Sequence, residues 1–196
     1  MKKIIFFCPT IELGGVGKNL FKVINFYANK EKNVYLVTFN GKIISKHLNK
    51  NIKLIDTTFF GSLKLPYLLK VILCIVNYLF TFGLKRKNIF ISFQSNLYFI
   101  LLAKITGNKI IARSNAAPNY YINSTFKKLI FKFIYNLADI IVVNSYEFKK
   151  IFFKVFNVNS KVIYNPATNF KKKINFKYKS KLNKKVNFLN VGRLTF

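Results

Sequence analysis

The chain has 196 residues, with 34 Lys or Arg against five Asp or Glu, a formal net charge of +29 and a hydrophobic content of 52%. That length holds one domain with some chain left over for a linker or the start of another, and the apolar content is ample for a core. The carboxylates Glu12, Glu31, Asp56, Asp139 and Glu147 are too few and too scattered for a two-carboxylate glycosidase or a multi-carboxylate metal site. The excess of positive charge favours anionic partners. It also reflects composition, because Lys, Asn, Ile and Phe, the residues of A/T-rich codons, make up about half of the chain. Cys8 and Cys74 stand far apart without Cys-x-x-Cys spacing, which argues against zinc and a disulfide framework and suits a reducing cytosol. His47, the sole histidine, lies in a polar stretch and reads as a solvated surface residue.

In chain order, short β-branched or aromatic runs alternate with longer segments of helical period. Strands are predicted from Lys3 to Cys8, Asn33 to Phe39, Ile52 to Asp56, Asn88 to Phe93, Lys109 to Arg113, Asp139 to Asn144 and Lys161 to Tyr164. Helices are predicted from Gly17 to Asn29, Leu65 to Leu84, Asn96 to Thr106, Thr125 to Leu137 and Tyr146 to Phe156. Most strands are apolar on both faces, which predicts an α/β, Rossmann-like doubly wound parallel sheet. Phe126, Leu129, Ile130, Phe133 and Leu137 recur at helical spacing and predict a core-facing stripe. Ser145 and Glu147 read as a helix cap and a first-turn acid.

Lys2-Lys3 is followed only by a short apolar run ending at Pro9, so no secretory leader is expected. The apolar stretch from Leu63 to Leu84 is backed by Lys85-Arg86-Lys87, but its uncharged part, Val71 to Leu84, falls short of the roughly 20 residues a spanning helix needs. A helix packed on the sheet or lying in a membrane interface is expected there. Asn165-Pro166 ends the regular pattern. A Lys- and Asn-rich linker is expected at 169–185, after a domain at 1–168, and the run 186–196 reads as the first strand of a further domain that is cut short.

Gly14-Gly15-Val16-Gly17-Lys18 stands between the first strand and the first helix. Glycines there let backbone amides approach phosphate oxygens at a helix N-terminus; the plainer alternative is a turn that packs helix on sheet. A P-loop is excluded, because Glu12 occupies a glycine position and Asn19 stands where a magnesium-binding Ser or Thr is needed. The related Gly-Gly-Val-Gly-Lys form wants a lysine where Leu13 stands.

Further segments follow in a fixed order: Ile91-Ser92-Phe93, then Ile111-Ala112-Arg113-Ser114-Asn115-Ala116-Ala117-Pro118, then Leu137-Ala138-Asp139 through Ser145. Lys161-Val162-Ile163-Tyr164-Asn165-Pro166 and Asn190-Val191-Gly192-Arg193-Leu194 complete the series. With the glycine loop, this series resembles the amino-terminal domain of family 4 GT-B glycosyltransferases, running into the Gly-Arg-Leu opening of the nucleotide-sugar domain. The resemblance implies the N-terminal half of a GT-B fold. The implied enzyme moves a hexosyl group, with retention, from a nucleotide-diphosphate sugar to a glycan or lipid-linked acceptor. It further implies that Gly14, Gly15 and Arg193 bind donor phosphates, and that Gln94, Arg113, Ser114 and Asn115 line the acceptor side of the cleft. No metal and no cofactor beyond the sugar nucleotide are expected, and no catalytic base can be assigned.

The paired glutamates and the lysine after Gly-Arg-Leu, which the family's second domain carries, are absent from this sequence, so the chain is expected to need that missing C-terminal domain for turnover. A cytoplasmic protein touching the inner face of an anionic membrane is expected, with nucleic acid not expected as a partner. The alternatives are a non-catalytic basic Rossmann-like binding module and an inactive remnant.

Overall fold

The computed structural model describes residues 2–12, 14–39, 41–57, 65–85, 87–118, 121–122 and 124–166. Residues 1–166 form one compact unit. The expected linker at 169–185, the strand at 186–196 and Arg193 lie outside the described residues.

Apolar runs flanked by polar turns become β1 (Ile4–Phe7), β2 (Val34–Thr38), β3 (Lys53–Asp56), β4 (Ile89–Ser92), β5 (Lys109–Arg113), β6 (Ile140–Val143) and β7 (Lys161–Val162). They build one sheet in the order β3-β2-β1-β4-β5-β6-β7, parallel at every pairing. This is the doubly wound Rossmann-like arrangement that the alternation predicts. Strand order reverses between β1 and β4, where Phe7 pairs with both Val37 and Ser92, so the carboxyl ends of these strands finish level.

The connecting helices are α1 (Gly15–Lys30), α2 (Gly41–Ile44), α3 (Tyr67–Phe82), α4 (Asn96–Ile105), α5 (Thr125–Asn136) and α6 (Tyr146–Phe156). α2 and the 3-10 turn Ser45–His47 behind it are additions to the sequence reading, for four residues are too few to show a period. Ser124 and Ser145 cap α5 and α6 by accepting from Lys127 N and Phe148 N, and Glu147 sits in the first turn of α6, the favoured end for an anion. Gly83, at φ 60°, stops α3.

The sheet is covered on both sides. On one, α1 places Leu20, Phe21 and Ile24 against Phe6, Leu36 and Ile91. On the other, α3, α4, α5 and α6 place Tyr78, Phe99, Tyr135 and Phe152 over Phe7, Phe90 and Ile110. Phe7 lies 4.1 Å from the Phe99 ring and 4.9 Å from the Phe90 ring, an aromatic knot under the switch point. Cys8 and Cys74 are free and buried, and burial pushes the Cys74 thiol up to about 12.

One expectation is reversed. Phe126, Leu129, Ile130 and Phe133 face outward, and only Leu137 of that stripe packs against the core. α5 has a second apolar side, Phe131, Ile134 and Tyr135, and it is this side that meets α4 and α6. Two apolar stripes share one helix, and periodicity alone does not choose between them. α3 measures about 24 Å at 1.5 Å per residue, and among the described residues no helix is long and apolar enough to cross a membrane.

Candidate functional site

Ligands of open α/β sheets bind beyond the carboxyl ends of the strands, where the strand order reverses. An open cavity of about 300 Å³ lies there, among the residues that follow β4 and β5. Gln94, Arg113, Ser114 and Asn115 all line it, so the four residues expected on the acceptor side come together in space. Val16 of α1 closes one edge.

Gln94 ties the first loop to β4: Thr10 donates to its Oε1 from both N (3.3 Å) and Oγ1 (3.1 Å). Its amide NH2 has no partner among the described residues and remains available as a donor. Asn115 is anchored the other way round, with Nδ2 donating to Phe93 O at 2.8 Å, which leaves its Oδ1 as an uncommitted acceptor. Ser114 is buried and donates to Ala116 O at 3.0 Å. Asn96 spans the two strands, accepting from Ser92 Oγ at 2.7 Å and donating to Arg113 O at 3.0 Å.

Arg113 is a buried cation, 6% exposed, and no carboxylate pairs with it among the described residues. Its Nη2 donates to Asn165 Oδ1 at 2.7 Å and Ile163 O at 3.2 Å, while Nε is buried with no partner among the described residues. The guanidinium carbon lies 5.7 Å from the centre of the Phe93 ring. Desolvation lowers the Arg113 pKa from its ordinary value. Two motifs some fifty residues apart thus form one clasp, a relation that no local pattern discloses.

The structure adds residues that the sequence did not single out. Tyr67 and Tyr98 line the cavity with Ser95, and Tyr67 Oη is hydrogen-bonded to Ser95 Oγ. Ser95 adopts a left-handed backbone at φ 55°, which costs a non-glycine residue about 1–2 kcal/mol. Burial raises the Tyr67 phenol above its ordinary pKa, partly offset by the bond to Ser95. Tyrosine is too common, and Ser95 too ordinary in sequence, for either to be found without the fold.

Gly14 and Gly15 are exposed at the start of α1 and lie outside the residues lining the cavity. Gly14 gives the helix no side-chain cap, and a Cβ at either glycine would meet open space. Gly17 is different. A Cβ there would overlap the backbone carbonyl of Glu12, so this glycine lets α1 sit close to the preceding loop. Among the described residues no Asp, Glu or His lines the cavity, and no three His, Cys, Asp or Glu side chains gather as metal ligands.

No family model matches the chain, nor does any curated protein. Solved structures do. Anabaena Alr3699/HepE in complex with UDP and glucose is similar with a TM-score of 0.52 and 16% identity, over 85% of this chain and 45% of that one. The same protein with UDP gives a TM-score of 0.56 at 13% identity, over 84% and 44%. UGT73P12 of Glycyrrhiza uralensis, complexed with glycyrrhetinic acid 3-O-monoglucuronide, gives 0.52 at 10% identity, over 83% and 49%. This chain spans about half the length of the structures it matches. They are GT-B glycosyltransferases, and at these identities the likeness is one of fold: the described unit has the Rossmann-like architecture of half of a GT-B glycosyltransferase.

Proposed function

We propose that this chain supplies the acceptor-side domain of a family 4 GT-B glycosyltransferase, which moves a hexosyl group with retention from a nucleotide-diphosphate sugar to a glycan or lipid-linked acceptor. One observation carries the reading. The cavity at the strand-order reversal offers an uncommitted amide donor on Gln94, an uncommitted acceptor on Asn115 and four tyrosine rings, with no carboxylate among the described residues that line it. Neutral hydrogen-bonding groups beside aromatic rings suit a ligand with hydroxyls and apolar ring faces, which is the chemistry of a sugar.

In this reading Gln94 and Asn115 hold acceptor hydroxyls, and the Tyr67–Ser95 pair shapes the wall beside them. Arg113 acts by position, fixing Asn165 and the exit of the chain from β7. The free amides at Gly14 and Gly15 face the reacting end of the donor, where the helix dipole favours negative charge on the leaving diphosphate. Arg193 joins them as a phosphate clamp, its fork of donors matched to phosphate oxygens. Donor binding draws mainly on the remaining length that the similar structures possess, so the 196-residue chain binds acceptor without turnover.

Titration calorimetry with short oligosaccharides and with UDP-glucose, alongside a coupled assay for UDP release, tests the proposal. Oligosaccharide binding should weaken about tenfold on Gln94→Ala or Asn115→Ala, the effect of losing about 1.4 kcal/mol of hydrogen bonding. No UDP should be released by the chain alone. Binding indifferent to both substitutions would move the site out of this cavity, and sustained UDP release would overturn the half-site assignment.

A further inference from the structure

The two helical layers differ on their outer surfaces. α1 exposes one large apolar residue, Phe26, whereas the layer of α3 to α6 exposes apolar side chains on every helix. On α5 they form a single stripe, Phe126 (74% exposed), Leu129, Ile130 and Phe133 (66%), spaced so that all four share one face. Phe80 of α3 and Ile105 of α4 extend the exposed apolar surface within the same layer. A helix face with four large exposed apolar side chains in one stripe is the kind of surface on which something docks.

Charge identifies the occupant. Lys127, Lys128 and Lys132 flank the α5 stripe, and α6 adds Lys149, Lys150 and Lys154, against one carboxylate on the two helices, Glu147. A second copy of the chain would set these lysines against their own counterparts. Residues 167–196 hold eight lysines, Arg193 and no Asp or Glu, so they too would bring like charge to the surface. Apart from its end residues, α5 turns outward only apolar groups and ammonium ions, which gives a polar protein surface few hydrogen-bond partners. Hydrocarbon beneath a dense layer of negative charge satisfies both.

We propose that α5, with the outer surface of the α3 to α6 layer, docks on an anionic lipid bilayer. Phe126 and Phe133 enter the acyl boundary, and the flanking lysines reach lipid phosphates on their extended stems. The sequence reading sets the apolar Leu65 to Leu84 helix in the interface; here α5 leads the contact, since α3 carries one lysine, Lys70, and α5 carries three. α5 also lends Phe131 and Tyr135 to the cavity, so docking sets the cavity beside the headgroups. The proposal does not depend on sugar transfer, and its test contains no sugar.

The test is flotation of the full 196-residue chain with vesicles of phosphatidylglycerol and phosphatidylcholine, and with phosphatidylcholine alone. The chain should float with the anionic vesicles and stay behind with the neutral ones. Phe126→Ser combined with Phe133→Ser, or Lys128→Glu combined with Lys132→Glu, should weaken binding about tenfold or more, while Phe26→Ser on α1 leaves it unchanged. Failure of the chain to float, flotation of both paired variants like the parent, or an equal loss in Phe26→Ser would each overturn the proposal. Capture of an acidic protein without flotation would give the surface to a protein partner and overturn it as well. Amide exchange of the unmodified chain with and without anionic vesicles needs no variant: protection is expected in α5 and not in α1, and the opposite pattern contradicts docking.

Discussion

On one side of the sheet, α1 turns Leu20, Phe21 and Ile24 inward and leaves a polar exterior broken only by Phe26. On the other side, α5 turns Ile134 and Tyr135 inward and sets a second, larger stripe of Phe126, Leu129, Ile130 and Phe133 toward solvent. The inner surfaces are alike in kind, since each buries apolar side chains, α1 against β1, β2 and β4 and α5 against α4 and α6. The outer surfaces are not. Burial accounts for every large apolar side chain of α1 except Phe26, whereas burial of α5 accounts for only about half of its apolar residues. The unexplained half contributes little to folding and must be assigned to something outside the fold.

The largest effect expected from this comparison is on stability. Tyr135→Ala should cost about 3–5 kcal/mol and Leu20→Ala about 2–5 kcal/mol, as for other large-to-small changes in a packed core. Phe126→Ser and Phe133→Ser should stay within about 0.5 kcal/mol, as exposed sites do. Urea unfolding followed by circular dichroism measures all four, and a loss at Phe126 matching that at Tyr135 would erase the distinction between the stripes.

The glycine loop allows a sharper version of the same test. Gly17→Ala drives a Cβ into the Glu12 carbonyl and should cost about 1–3 kcal/mol, the usual penalty of overpacking. Gly14→Ala meets open space and should cost less than about 0.5 kcal/mol. Equal costs would mean that the loop serves packing at both positions. Asn165→Ala takes an acceptor from a buried guanidinium and should cost about 1.5–3 kcal/mol in the same assay; no change would show that the clasp to Arg113 is idle.

The smallest effect is electrostatic. Asp139 accepts from Ile110 N at 2.9 Å and Lys104 Nζ at 3.1 Å. Burial pulls its pKa up, but these bonds outweigh burial and hold the carboxyl below its ordinary value. The folded state therefore favours the ionised form. Its contribution is complete above the unfolded carboxylate pKa of about 4 and disappears as pH falls through the lower folded value. Both side chains are about one-third exposed, so salt weakens the effect. Asp139→Asn should flatten the acid limb of the stability curve slightly, and an unchanged limb would remove the ion pair from the account.

The fold was legible because buried parallel strands write themselves as apolar runs, and all seven runs became strands of one sheet. The direction α5 faces was not legible, because its sequence carries two apolar stripes and the choice depends on α4 and α6. Gln94, Arg113, Ser114 and Asn115 could be singled out only through the resemblance of their segments to a family's cleft motifs, and the parallel pairing of β4 with β5 is what brings those segments together. Tyr67 reaches the cavity only through the packing of α3, where its hydroxyl meets Ser95. Arg113 and Asn165 sit in motifs that each look complete alone, and their bond requires β5, β6 and β7 to lie side by side.

The most direct test of the central claim is amide hydrogen exchange of the 196-residue chain with and without short oligosaccharides. Slowed exchange confined to the loops after β1, β4 and β5, around Thr10, Gln94 and Asn115, is the result expected of a sugar-binding cavity at the strand-order reversal. Exchange unchanged in those loops at oligosaccharide concentrations that saturate binding would place the ligand elsewhere and contradict the assignment.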